Sequence, residues 1–221
     1  MAALDGPRFG PKSGGPVKQI VVLLHGLGAD GADLIELAPH WAEALPDAAF
    51  VAPDAPEPCD MGPYGRQWFS LQDRRPAVMA AGARAAREGL EAFLTAELAR
   101  EGLPGSALAL AGFSQGCMMA LYAGLRRAEP PAAILGYSGA LLAPDSLTAE
   151  ITGRPPVLLV HGEADDIVPV QATRQAESAL REAGVPVQAL YQPGLAHGID
   201  EAGLAAGLRS LRAAFGTGPD A

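Results

Sequence analysis

A short apolar run, Ser106 to Ala111, leads into Gly112-Phe113-Ser114-Gln115-Gly116, and a helix-forming stretch, Cys117 to Ala123, leads out of it. No other feature constrains the chain as much. A strand that feeds a helix through Gly-x-Ser-x-Gly must turn sharply at the serine, which puts the hydroxyl at the tip of the bend. Glycines flank it because a Cβ there would collide with the neighbouring strand and helix. The helix beyond presents free N–H groups and its positive end to the same spot. Chance supplies about 0.12 such pentapeptides in a chain with this many serines and glycines. The weight therefore rests on the surroundings.

Those surroundings alternate between strand and helix. Gln19 to Leu24, Ala49 to Ala52, Ala132 to Tyr137, Val157 to Val160 and Val187 to Tyr191 are apolar runs of strand length. Continuous apolar runs suit parallel strands covered on both faces. Between them lie helical patterns. One carries Leu34, Leu37, Ala38, Trp41 and Leu45 on one stripe and stops at Pro46. A second runs from Ala77 to Glu101 with Gly102 as its cap, a third from Gln171 to Ala183, and a last one aligns Leu204, Leu208, Leu211 and Phe215. Residues 53–76 form a proline-rich loop without a period, long enough to suggest a functional role. The pattern predicts a doubly wound, mostly parallel α/β sheet. Its expected organisation is an N-terminal arm or short edge strand over 1–16, a single domain over 17–216 and a frayed tail over 217–221.

Composition narrows the partners. The net charge of −9 argues against nucleic acid and against anionic membrane surfaces. No apolar run reaches the roughly 20 residues of a membrane span, so stable membrane insertion is not expected. The first residues show no basic segment followed by an apolar one. Cys59 and Cys117 are too few for a disulfide framework and read as reduced thiols of a cytoplasmic protein. A homodimer stays open.

A serine hydroxyl needs a base within reach, and the base needs a group to orient it. After a strand–Ser–helix turn of this kind the expected chain order is serine, acid, histidine. His25 and His40 precede Ser114 and fail that test; His161 precedes every attractive acid except Asp145. His197, in a loop after the last strand, is the base by this reading. His25 and His161 are expected to be structural, their rings bonded to nearby backbone. Asp145, Asp165, Asp166 and Asp200 are the candidate acids. Asp165 follows a strand at the correct edge of the sheet and is preferred to its neighbour Asp166; Asp200 suits the cap of the last helix. Two donors must await the developing oxyanion. The N–H of Gln115 is one, and the loop His25-Gly26-Leu27-Gly28 supplies the other, assigned to Leu27. Trp68 and Phe69, in the long loop, are candidate walls of a substrate pocket. No metal or organic cofactor is expected.

Together, Leu24 to Gly28, Gly112 to Gly116, His161-Gly162 with Asp165 and Val168-Pro169, and His197-Gly198 resemble the carboxylesterase/phospholipase family that includes acyl-protein thioesterases. The likeness runs from about residue 17 to residue 215. It implies an α/β-hydrolase fold without a large cap domain, Ser114, Asp165 and His197 as triad, and Leu27 and Gln115 as oxyanion donors. Arg66-Gln67-Trp68-Phe69 looks like that family's loop at the pocket mouth. Ser70 stands where the family often has an acidic residue, and Cys117 where it often has glycine. The implied activity is hydrolysis of short- to medium-chain carboxylic esters through an acyl-enzyme. A thioesterase or lysophospholipase reaction is the alternative. A protein that binds acyl ligands without turnover is the alternative from another class.

Overall fold

The computed structural model describes residues 3–217. Met1, Ala2 and residues 218–221 of the expected tail lie outside that range. The strands are β1 (Arg8–Phe9), β2 (Gln19–Leu24), β3 (Ala48–Val51), β4 (Glu57–Pro58), β5 (Arg66–Gln67), β6 (Leu108–Phe113), β7 (Ala133–Tyr137), β8 (Val157–Gly162) and β9 (Val187–Gln192). The helices are α1 (Gly31–Leu34), α2 (Ala38–Ala42), α3 (Pro76–Glu101), α4 (Gln115–Gly124), α5 (Leu147–Glu150), α6 (Val170–Glu182) and α7 (Glu201–Ala214). Seven strands form one sheet in the order β1-β3-β2-β6-β7-β8-β9, and β4 and β5 pair apart as a small hairpin. Within that sheet, among the described residues, only β1 runs antiparallel, against β3. Part of the expected N-terminal arm is therefore the edge strand of the sheet.

Alternation along each strand builds two cores. Ile20, Val22 and Leu24 of β2 face one side, with Leu108 and Leu110 of β6 and Val157 and Leu159 of β8. Helices α3, α4 and α6 cover that side. Val21 and Leu23, with Ala109, Ala111, Leu158 and Val160, face the other, under α1, α2 and α7. The stripe of α7 packs there as expected: Leu211 is buried, and Leu204, Leu208 and Phe215 rest against the same cluster. Two layers of helix on one sheet explain why β2, β6, β7 and β8 are apolar at nearly every position.

Two expectations change. The helix foreseen over Leu34 to Leu45 is broken: α1 passes through a 3-10 turn at Ile35–Leu37 before α2 begins. Pro39, in the first turn of α2, has no N–H to continue an α-helical ladder from upstream, so a new segment starts there. The long loop also holds the β4–β5 hairpin, whose two-residue strands are too short to show a period.

The glycines of the pentapeptide meet their requirement by close approach. A Cβ on Gly112 would lie 2.2 Å from Gly116 O, and one on Gly116 only 1.8 Å from Leu24 O. Both obstacles are backbone, so relief requires α4 to move away from β6 in the first case and from β2 in the second. Gly116→Ala is expected to cost about 3 kcal/mol in denaturant unfolding. A variant as stable as the parent would show that the two elements can separate freely.

Candidate active site

The carboxyl ends of the central strands converge on one rim, where open parallel sheets bind their ligands. β6 ends just before Ser114, whose φ of 53° and ψ of −115° place a non-glycine residue in a strained turn. Its N–H donates to Tyr137 O at 2.8 Å, so the bend is tied to β7. Among the described residues the Ser114 hydroxyl makes no hydrogen bond.

Behind β8, the Asp165 carboxylate is buried. Its Oδ1 accepts the N–H groups of Ile167 and Val168, each at 2.9 Å. Its Oδ2 lies 2.7 Å from His197 Nδ1. Burial pushes the carboxyl toward the neutral form, but the His197 bond and the two amides outweigh it, so ionisation falls below the usual carboxylate range. An ionised carboxylate only accepts, so Nδ1 carries the imidazole proton and Nε2 keeps its lone pair. The loop that carries His197 is seated by Ala164 N–H to Leu195 O at 3.0 Å and Glu163 N–H to Gln192 O at 2.9 Å. The Phe113 ring stands 4.8 Å from the His197 ring, centroid to centroid. Asp166 is exposed, and Asp200 caps α7 by accepting the Gly203 N–H at 2.8 Å.

Ser114 and His197 line the same cavity, of about 360 Å³, together with Leu27. Neither the Leu27 N–H nor the Gln115 N–H donates a hydrogen bond within the described residues. The loop carrying Leu27 is pinned from behind: Gly28 N–H donates to Arg66 O at 2.9 Å, and Arg66 N–H to Ala29 O at 2.8 Å. A Cβ on Gly26 would come within 3.3 Å of Ser114 Cβ, so the loop lies directly against the serine. His25 is structural, as foreseen. Its Nδ1 bonds Gly26 O at 2.7 Å and its Nε2 accepts the Ala55 N–H at 2.9 Å; burial lowers its basicity.

The placement of Trp68 and Phe69 departs from expectation. They do not line the cavity of Ser114. Both are buried and form part of a different cavity, of about 580 Å³, between the long loop and α3. Large aromatic surfaces gain most from full burial, and the Trp68 indole N–H finds His25 O at 3.0 Å. Their link to the site is indirect. The Gln115 side chain accepts the Trp68 N–H at 2.9 Å and donates to Phe69 O at 2.7 Å, fixing the first residue of α4. The apolar wall beside Ser114 is instead made by Leu71, Met79, Phe113, Met118 and Ile167. Leu71 lies two positions beyond Phe69 in the same loop, and Met118 one turn after the serine. Their helical or loop context carried no sign of it.

The two thiols differ in kind. Cys117 lies in α4 behind the bend, and burial pushes its thiol up to about 12. Cys59 lies in the hairpin and is partly exposed. Iodoacetamide at pH 8 is expected to modify Cys59 alone in the folded protein and Cys117 only after denaturation, read by peptide mass. Rapid labelling of Cys117 in the native state would contradict this assignment.

A serine on a strained strand–helix bend at the end of a central parallel strand defines the α/β-hydrolase class. Comparison with known proteins places the chain within that class. The family model for phospholipase/carboxylesterase matches residues 11–214, and the chain belongs to that family. It is 30% identical over 204 residues to esterase YpfH of Escherichia coli, covering 89% of this chain and 83% of that protein. It is 32% identical over 163 residues to acyl-protein thioesterase 1 of Schizosaccharomyces pombe, covering 67% of this chain and 69% of that protein. The crystal structure of esterase PE8 superposes with a TM-score of 0.91 at 44% identity, covering 96% of this chain and 99% of that one. Like its relatives, it is an ester hydrolase built on a mostly parallel sheet, without a large cap.

Proposed function

We propose that the protein is a serine carboxylesterase that hydrolyses short- to medium-chain esters through an acyl-enzyme. The observation that carries this reading is the His197–Asp165 hydrogen bond at the wall of the cavity that also holds Ser114. His197 Nε2 takes the Ser114 proton as Oγ attacks the ester carbonyl. The tetrahedral oxyanion is received by the N–H groups of Leu27 and Gln115. The imidazolium, steadied by Asp165, then gives its proton to the leaving alcohol. Water repeats the sequence against the acyl-enzyme and releases the acid. The hydrogen bond between serine and base, absent among the described residues, is expected to form when substrate binds, as is common in such sites.

Size sets the acyl range. An apolar cavity of 150 Å³ holds benzene, so about 360 Å³ admits an acyl chain on the order of eight carbons with its ester group. A series of p-nitrophenyl esters is expected to give the highest kcat/KM between butyrate and octanoate, at least about tenfold above palmitate. A palmitate optimum would remove the chain-length reading. Thioesters enter the same acyl-enzyme, and the name of the Schizosaccharomyces pombe relative is the reason to include them in the series.

A further inference from the structure

His161 is a fully buried titratable side chain to which the proposed reaction assigns no step. Its surroundings are specific. Nδ1 lies 2.6 Å from Thr173 Oγ1, and the Thr173 hydroxyl is 3.0 Å from Gly139 O. Nε2 lies 2.8 Å from Val168 O and 3.1 Å from Asp165 Oδ2. Both neighbours of Nε2 only accept, so Nε2 carries its proton whichever way the Thr173 hydroxyl turns. That N–H bonds Val168 O; Asp165 Oδ2 lies 3.1 Å from the same nitrogen as a close charged neighbour, without a hydrogen bond to it.

We propose that His161 is a positioning residue for the Asp165 carboxylate, and through it for the orientation and basicity of His197. It acts on both oxygens. It fixes the Val168 peptide, whose own N–H holds Oδ1 at 2.9 Å. It also places a proton beside Oδ2, the oxygen that His197 Nδ1 meets at 2.7 Å. A carboxylate gripped from behind in this way cannot turn away when His197 becomes an imidazolium, and the second proton tempers the charge that His197 feels. Among the described residues the titratable groups that meet His161 are Asp165 on the following loop and, through the same oxygen, His197. The proposal rests on the reading of Ser114, Asp165 and His197 as a triad.

The test compares His161→Leu, which deletes the N–H, with His161→Gln, whose side-chain amide can replace it. Rates on p-nitrophenyl butyrate are expressed per serine titrated with a fluorophosphonate, so unfolded protein does not count. His161→Leu is expected to lower kcat about 10- to 100-fold with KM within about twofold. With the proton gone, Asp165 holds the His197 cation more strongly, so the acid limb of kcat/KM moves up by about 0.5 pH unit or more. His161→Gln is expected to restore most of both. If His161→Leu yields no folded protein, Thr173→Val, which frees the far side of the ring, should move the acid limb the same way by a smaller amount. An unmoved limb and an unchanged kcat per titrated site in either folded variant would overturn the inference, as would a Gln variant no better than Leu. Failure of the parent protein to take the fluorophosphonate would instead overturn the triad itself.

Discussion

Ser114→Ala is expected to lower kcat on p-nitrophenyl butyrate by at least ~10³-fold while leaving the folded protein as stable as the parent. The two halves of that statement have separate grounds. The hydroxyl makes no hydrogen bond among the described residues, so removing it orphans no partner. The backbone at 114 sits at φ 53°, which costs alanine about what it costs serine. Thermal unfolding should therefore differ by no more than about 0.5 kcal/mol. The loss in rate is then loss of the attacking oxygen. Residual turnover above the rate in water is also expected, because the N–H groups of Leu27 and Gln115, the proposed oxyanion donors, would still receive the oxyanion formed when water attacks directly. Fluorophosphonate labelling should vanish completely. A variant that keeps most of its esterase activity would show that another group attacks the ester, and the strained turn would need a different explanation.

The central strands were legible because two-sided burial writes itself into sequence as unbroken apolar runs; Val157 to Val160 can hardly be read otherwise. The capped helix α3 was legible through its length and through Gly102, which caps it as foreseen and does so in the left-handed conformation. The serine bend could be read from the strand and helix that flank it, and chain order singled out Asp165 and His197, which the fold brings to 2.7 Å of each other. Other features depend on packing across the chain. β1 and the β4–β5 hairpin are two residues per strand, too short to show a period, and β1 is defined by pairing with a partner distant in the chain. The break between α1 and α2 turns on a few backbone bonds inside an otherwise regular apolar stripe. The walls of the cavity were hardest. Trp68 and Leu71 lie three residues apart in one loop, and both are credible linings by composition. Only the hydrogen bonds of Gln115 and His25 to the segment around Trp68 turn it inward and leave Leu71 beside the serine. The significance of His161 was hidden for the same reason: a histidine that ends a strand carries no mark of the carboxylate four residues on.

Asp165→Asn should reduce kcat by about 10³- to 10⁴-fold without changing the size of any side chain in the site. The amide has one acceptor and one donor end, and its surroundings dictate which goes where. Ile167 and Val168 both offer N–H groups to the Oδ1 position, so the Asn oxygen must face them. The NH₂ then meets His197 Nδ1, which must give up its proton and accept. Nε2 becomes the donor and can no longer take a proton from Ser114. The same NH₂ faces the N–H of His161, where two donors oppose each other at a distance that suited a carboxylate, so some strain is added. Acid titration provides a second readout. Asp165 ionises at lower pH in the folded protein than in the unfolded chain, where about 3.9 is usual. It therefore adds stability at pH values above about 4 and loses that contribution as pH falls through its folded value. Asparagine has no such contribution to lose. The stability gap between parent and variant should be widest near pH 7 and should narrow on acidification below about pH 4, followed by thermal unfolding. A variant with near-parental kcat at pH 7 would mean that His197 needs no carboxylate to choose its tautomer; a gap that held constant into acid would mean that the carboxylate is not held ionised by the fold.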